Sequence, residues 1–170
     1  SAAYFDHEKF SDPNAKYEYT ILPPAELAAQ IGEFGISNDT EVVFYSWGML
    51  PYAARAWWIL HYAGHTNVRV LNGGLAAWQN IGGQLEKEAQ QYKPSIFNAH
   101  FKPSMFADKE EVLEALKDSS ISVENVLPPI SYEGAHITGS ANLNCMEMMY
   151  DMDSFVSNDK LASRLQETAQ

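Results

Sequence analysis

Val42-Val43-Phe44-Tyr45-Ser46-Trp47-Gly48-Met49-Leu50-Pro51 is the stretch on which the fold turns. Its first four residues form a short, continuous apolar run and read as a strand buried on both faces of a parallel sheet. Pro51 then marks a helix entry, and residues 52–63 run as a helix to a stop at Gly64. Downstream, Val68-Arg69-Val70-Leu71 is a second short strand, Asn72-Gly73-Gly74 a turn, and Leu75-Ala76-Ala77-Trp78 opens a helix that stops near Gly82-Gly83. Upstream, Pro23-Pro24 precedes a helix in which Leu27, Ile31 and Phe34 recur at helical spacing, with Gly35 as its C-terminal cap. Strands alternate with helices over short connections. The expected class is therefore α/β, with a parallel central sheet flanked by helices on both faces.

Residues 84–107 carry Pro94, Pro103 and several amides but no helical period, and read as a linker or irregular excursion. Asp108 with Glu111 resembles a capping box for a helix over residues 110–117. Ile121-Ser122-Val123-Glu124-Asn125-Val126 reads as a strand ended by Pro128-Pro129, and a last helix begins near Asn158-Asp159 with Leu161 and Leu165 on it. The chain also repeats itself weakly: residues 24–31 align with 158–165, and Ser1-Ala2 with Ser140-Ala141.

The 170 residues carry 11 Lys and Arg against 22 Asp and Glu, a net charge of −11 that disfavours nucleic acid and anionic membrane surfaces as partners. No apolar run approaches the 18 or so residues of a membrane span. Cys145 is the single cysteine, so an internal disulfide and a four-cysteine zinc site are both excluded. A cytoplasmic location is expected, with a periplasmic one left open.

Chemistry is expected where the first strand meets the following helix, because open α/β sheets bind ligands at the carboxyl ends of their strands. Ser46 presents a hydroxyl there, and the amides of residues 47–50 together with the positive end of the helix dipole suit an anion. The candidate anion or substrate loop is Ser46, Trp47, Gly48, Met49, Leu50 and Pro51. Ser46-Trp47-Gly48 is half of a serine nucleophile elbow, but Phe44 occupies its first glycine position. His61 and His65 share the four-residue spacing of a helical metal pair, yet Gly64 falls between them and no third ligand is spaced nearby, so no metal is expected. His136 is expected to brace a turn, and Met146, Met148, Met149 and Met152 to pack flexibly in a core or on a partially buried surface.

Four stretches together resemble the rhodanese superfamily, specifically its tandem-domain thiosulfate and 3-mercaptopyruvate sulfurtransferases. They are residues 27–40 with Phe34-Gly35-Ile36-Ser37-Asn38-Asp39-Thr40; Val42-Val43-Phe44-Tyr45 with Ala53-Ala54-Arg55-Ala56-Trp57-Trp58; residues 70–78 around Asn72-Gly73-Gly74; and residues 132–141 with His136-Ile137-Thr138-Gly139. The resemblance implies a five-stranded parallel sheet and a loop cysteine that accepts a sulfane sulfur and passes it to cyanide or a thiol. It places Ser46 where that nucleophile would stand, as in a non-catalytic first domain, and gives Cys145 no catalytic role. Asn125-Val126-Leu127 stands where the family has Asp-x-Arg, and Thr138 where its turn has proline.

The register further implies a rhodanese-like first copy at residues 1–83 without its N-terminal strand, a linker at 84–107, and at 108–170 the start of a second copy that also could complete the first. The chain is then either a fragment of a tandem protein or one repeat in permuted order, since Gln170 falls before the strand leading to a second catalytic loop. The expected function is the non-catalytic part of a rhodanese-like sulfurtransferase, inactive alone and without cofactor, with a small anionic sulfur donor and the remainder of a second rhodanese domain as partners. A non-enzymatic anion- or protein-binding module is the alternative, and a serine hydrolase at Ser46 a third reading.

Overall fold

A computed structural model describes residues 2–168, which fall into two compact units, Ser1–Met105 and Phe106–Gln170. The Ser1 arm of the internal repeat and the register argument at Gln170 lie outside the described residues.

The first unit runs from a 3₁₀ turn at His7–Phe10 through α1 (Pro24–Glu33), β1 (Val42–Phe44), α2 (Leu50–Tyr62), β2 (Val68–Val70) and α3 (Gly74–Asn80). β1 and β2 pair in parallel, Val42 opposite Val68 and Phe44 opposite Val70. Pro24 stands in the first turn of α1, where its missing N–H has no intrahelical partner to lose. Leu27 and Ile31, four apart, then turn the same face inward and are fully buried. α2 packs on both strands and buries Ala53, Ala56, Ile59 and Leu60. Each of the larger aliphatic side chains so enclosed contributes roughly 1.5–3 kcal/mol.

The strand period corrects one expectation. Val42 and Phe44 turn toward the core, whereas Val43 is 49% exposed, so β1 is covered on one face rather than two. The apolar run Val42–Tyr45 lacks the alternation that normally announces such a strand because its outward residues, Val43 and Tyr45, are themselves apolar.

Residues 84–102 contain no helix or strand, yet much of the segment is strapped to the first unit. Ser95 donates its amide to the Gly32 carbonyl, His100 to Ala63 and Lys102 to Tyr62. Asn38 clamps Asn98 through both the amide and the carbonyl of its backbone, at 2.9 and 2.8 Å. Phe97 is buried in the core, with Ala99 and Phe101 packed against it.

The second unit holds α4 (Lys109–Ala115), β3 (Glu124–Asn125), α5 (Pro129–Gly134), β4 (Ala141–Asn142) and α6 (Asn158–Thr168). β3 and β4 are parallel, with Glu124 opposite Ala141. The capping box forms as read: Asp108 accepts from the Glu111 amide and Glu111 from the Asp108 amide, both at 2.8 Å. Only Glu124 and Asn125 of the stretch expected as a strand pair, because their partner β4 is itself two residues long. Among the described residues no helix is long and apolar enough to cross a membrane.

Candidate functional site

The loop between β1 and α2 is set by two backbone hydrogen bonds to the segment after β2. The Phe44 carbonyl accepts the Leu71 amide at 2.8 Å, and the Ser46 carbonyl accepts the Leu75 amide at 2.9 Å. Leu75 lies in the first turn of α3, so Ser46 is fixed beside the opening of that helix. The turn leading there needs Gly73 and Gly74, at φ 88° and 53°, to reach it.

Ser46 is half-buried, Trp47 is 82% exposed, Gly48 is exposed, Met49 and Pro51 are half-buried, and Leu50 is buried. Leu50 anchors the helix end in the core while the residues before it stay near solvent. Gly48 has φ 72° and open space where a Cβ would stand, so its glycine answers to backbone conformation rather than crowding. Met49 caps α2 with no side-chain hydrogen bond, and Pro51 brings no N–H to the first turn. The loop contains no charged side chain, so attraction for an anion there would have to come from amides and the helix dipole.

The remaining candidates are dispersed. His61 stacks on Trp57 with ring centroids 4.8 Å apart and lies 3.2 Å from the Lys102 Nζ. His65 is buried against Phe97, beyond the C-terminus of α2. The two therefore face different partners and do not form a pair, and among the described residues no three His, Cys, Asp or Glu side chains gather as metal ligands. His136 stacks on Tyr132 at 3.9 Å, its Nδ1 2.7 Å from the Tyr132 carbonyl, which ties the Tyr132–Ser140 turn together with the Tyr132 hydroxyl bond to Ser140. Asn125 Oδ1 accepts the Leu127 amide at 2.9 Å, so an amide oxygen orders this strand end. Cys145 is half-buried in the second unit, in the 3₁₀ turn Cys145–Met148, and donates its amide to the Val126 carbonyl.

Sequence reasoning passed over Arg55 except as part of a resemblance. A lone arginine within an otherwise apolar helix, Leu50–Tyr62, is the signal that marks it.

Comparison with known proteins adds the following. The family model for the rhodanese-like domain matches residues 9–81. The chain is 33% identical over 162 residues to thiosulfate sulfurtransferase of Cricetulus griseus, covering 87% of this chain and 54% of that protein. It is 29% identical over 159 residues to 3-mercaptopyruvate sulfurtransferase of Escherichia coli strain K12, covering 87% and 57%. The chain thus spans about half the length of these curated relatives. The crystal structure of SseA from Escherichia coli, a 3-mercaptopyruvate sulfotransferase, superposes with a TM-score of 0.90 at 28% identity, covering 98% of this chain and 66% of that one. An anaerobic ergothioneine biosynthesis enzyme from Chlorobium limicola, 21% identical with a TM-score of 0.86 over 98% of this chain and 47% of its own, shares the fold.

Proposed function

We infer, since this chain belongs to the rhodanese-like sulfurtransferase family and carries its rhodanese-like domain at residues 9–81, that it is the non-catalytic part of a thiosulfate or 3-mercaptopyruvate sulfurtransferase. One observation carries this reading: the residue at the loop after β1 is Ser46, and the single cysteine, Cys145, belongs to the second unit. Sulfane sulfur transfer needs a thiolate, which is nucleophilic at neutral pH and polarisable enough to leave as well as attack. A serine hydroxyl has neither property unless a base removes its proton. The loop is then a frame that positions a small sulfur-bearing anion or a neighbouring segment without forming a bond to it.

Thiocyanate production from thiosulfate and cyanide, and from 3-mercaptopyruvate and cyanide, tests the proposal. The 170-residue chain is expected to show no turnover. Turnover that Cys145→Ala abolishes would overturn it.

The uncapped start of α2 favours a second reading, a module that binds an anion without turning it over. Calorimetry with thiosulfate, sulfate and phosphate tests it: heat of binding in a chain that gives no thiocyanate supports the module, and no heat with any of the three removes it.

A further inference from the structure

Arg55 carries its charge into a half-buried place with only neutral company. Its Nη2 donates to the Ser11 hydroxyl at 3.2 Å and to the Tyr19 carbonyl at 3.0 Å, and its guanidinium carbon lies 5.4 Å from the centroid of the Tyr19 ring. Its Nε is buried and has no acceptor. Burial is the larger influence on this group and pulls its pKa down, against a smaller opposing effect of Tyr19. Tyr19, whose carbonyl it holds, adopts φ 60°, a left-handed conformation that a non-glycine residue keeps only where its surroundings impose it.

One helical turn earlier on the same face of α2, Tyr52 packs against His7, with ring centroids 4.9 Å apart and planes inclined at 34°. His7 opens the 3₁₀ turn whose C-terminal cap is Ser11, the residue that Arg55 grips. The His7 Nδ1 is likewise buried and without a partner. Two nitrogens that could hold an anion thus lie along one short contact between the His7–Phe10 turn and α2.

Of the carboxylates nearest in sequence, Asp6 and Asp12 are turned to backbone amides, while Glu8 and Glu18 are exposed. Asp6 accepts from the Glu8 amide at 3.1 Å and Asp12 from the Asn14 amide at 2.8 Å, and among the described residues no acidic side chain forms an ion pair with Arg55. A desolvated guanidinium with an unmet N–H is costly, and what would offset that cost is negative charge with lone pairs. The two donors come from separate elements and not from a single fork. A tetrahedral anion, with oxygens in several directions, meets that arrangement better than a planar carboxylate.

We propose that His7 Nδ1 and Arg55 Nε form a site for a small tetrahedral oxyanion, of the sulfate class, between the His7–Phe10 turn and α2. Tyr19 and Tyr52, both exposed, flank the two side chains. The site uses none of residues 46–51 and stands whether or not the chain is the non-catalytic part of a sulfurtransferase.

The test is a sulfate titration of the ¹⁵N-labelled 170-residue chain at constant ionic strength, with chloride and acetate as references. The ring nitrogens of His7 and the Nε–H of Arg55 are expected to shift together along one saturable curve with sulfate and not with acetate. Arg55→Gln is expected to weaken sulfate at least tenfold at His7 in a chain that circular dichroism finds folded. Should that variant not fold, His7→Ala read at Arg55 Nε–H is expected to weaken it by a similar factor. No saturable shift at either nitrogen, an equal response to acetate, or unchanged affinity in a folded variant overturns the site.

Discussion

The amide of Ser95 donates to the carbonyl of Gly32 at 3.0 Å, and the Ser95 carbonyl oxygen lies 2.4 Å from where a Cβ on Gly32 would stand. Alanine in a helix ordinarily gains about 0.5–1 kcal/mol over glycine. At Gly32 that gain is outweighed, since the obstacle is backbone and cannot swing aside. Gly32→Ala is expected to lower stability by about 1–3 kcal/mol, the range of overpacking, read as a fall in the urea midpoint. Gly64→Ala meets the His100 carbonyl at 2.3 Å with φ 93° and is expected to cost at least as much. A neutral or stabilising result at either position would mean that residues 84–102 are not strapped down as described.

That strap also shows how far the sequence could be read. Phe97, Ala99 and Phe101 alternate with exposed Asn98 and His100, which is the period of an extended segment buried on one side. A search for helical period finds nothing there, and with no second strand beside it the segment enters no sheet. The helices were legible because their ends carry local chemistry: Pro24, Pro51 and the Asp108–Glu111 pair act within a few residues of themselves. α5 (Pro129–Gly134) was not, since a six-residue helix opening on Pro128-Pro129 looks like a strand stop. The Ser46 loop was legible as a strand-to-helix junction. The approach of Arg55 to Ser11 and of Tyr52 to His7 was not, because these pairs lie 44 and 45 positions apart and only the folded chain sets the 3₁₀ turn against α2.

Asp108→Ala removes the acceptor for the Glu111 amide and leaves the Glu111 carboxylate as half of a reciprocal pair. A lost N-cap costs about 0.5–2 kcal/mol. Amide exchange in α4 is expected to speed by roughly tenfold, the equivalent of about 1.4 kcal/mol, while exchange in α1 and α2 stays unchanged. Asp108→Asn keeps the cap acceptor and is expected to recover most of the loss.

Acid is expected to loosen the second unit through Asp151 and Asp118. The amides of Asp153 and Ser154 hold the Asp151 carboxyl below the usual carboxylate range, and the Ser120 hydroxyl and then its amide do the same for Asp118. Their folded pKa values are depressed, so this stabilisation is whole above the unfolded value, near 3.9. It is lost as pH falls through the folded value, because the unfolded chain takes up the proton first. Carboxyl ¹³C titration of the folded chain checks the direction. Asp151→Asn is expected to flatten the dependence of stability on pH between about 5 and about 2, and a slope unchanged in that variant would assign it elsewhere.

Ser46 is expected to resist a fluorophosphonate probe. Such a probe needs a hydroxyl whose proton is removed as it attacks, and His7, His61, His65 and His136 each pack against other groups: Tyr52, Trp57 and Lys102, Phe97, and Tyr132. Mass spectrometry of the treated chain decides, and a covalent adduct on Ser46 would restore the hydrolase reading.

A thiol placed at the same position asks whether the loop has the electrostatics that sulfur chemistry needs. Ser46→Cys in a Cys145→Ala background leaves one cysteine, a few residues before the uncapped start of α2 and with its carbonyl tied to Leu75. A helix N-terminus favours the thiolate, and thiols so placed ionise below the free value of about 8.5. The pH profile of alkylation by iodoacetamide is expected to rise with an apparent pKa below that of a free cysteine measured alongside. Cyanide-dependent turnover is nevertheless expected to stay absent, because the loop offers no side-chain cation to hold an anionic donor. An alkylation profile at or above the free thiol would show that the α2 dipole does not reach this position, and the anion-binding role of the loop would go with it.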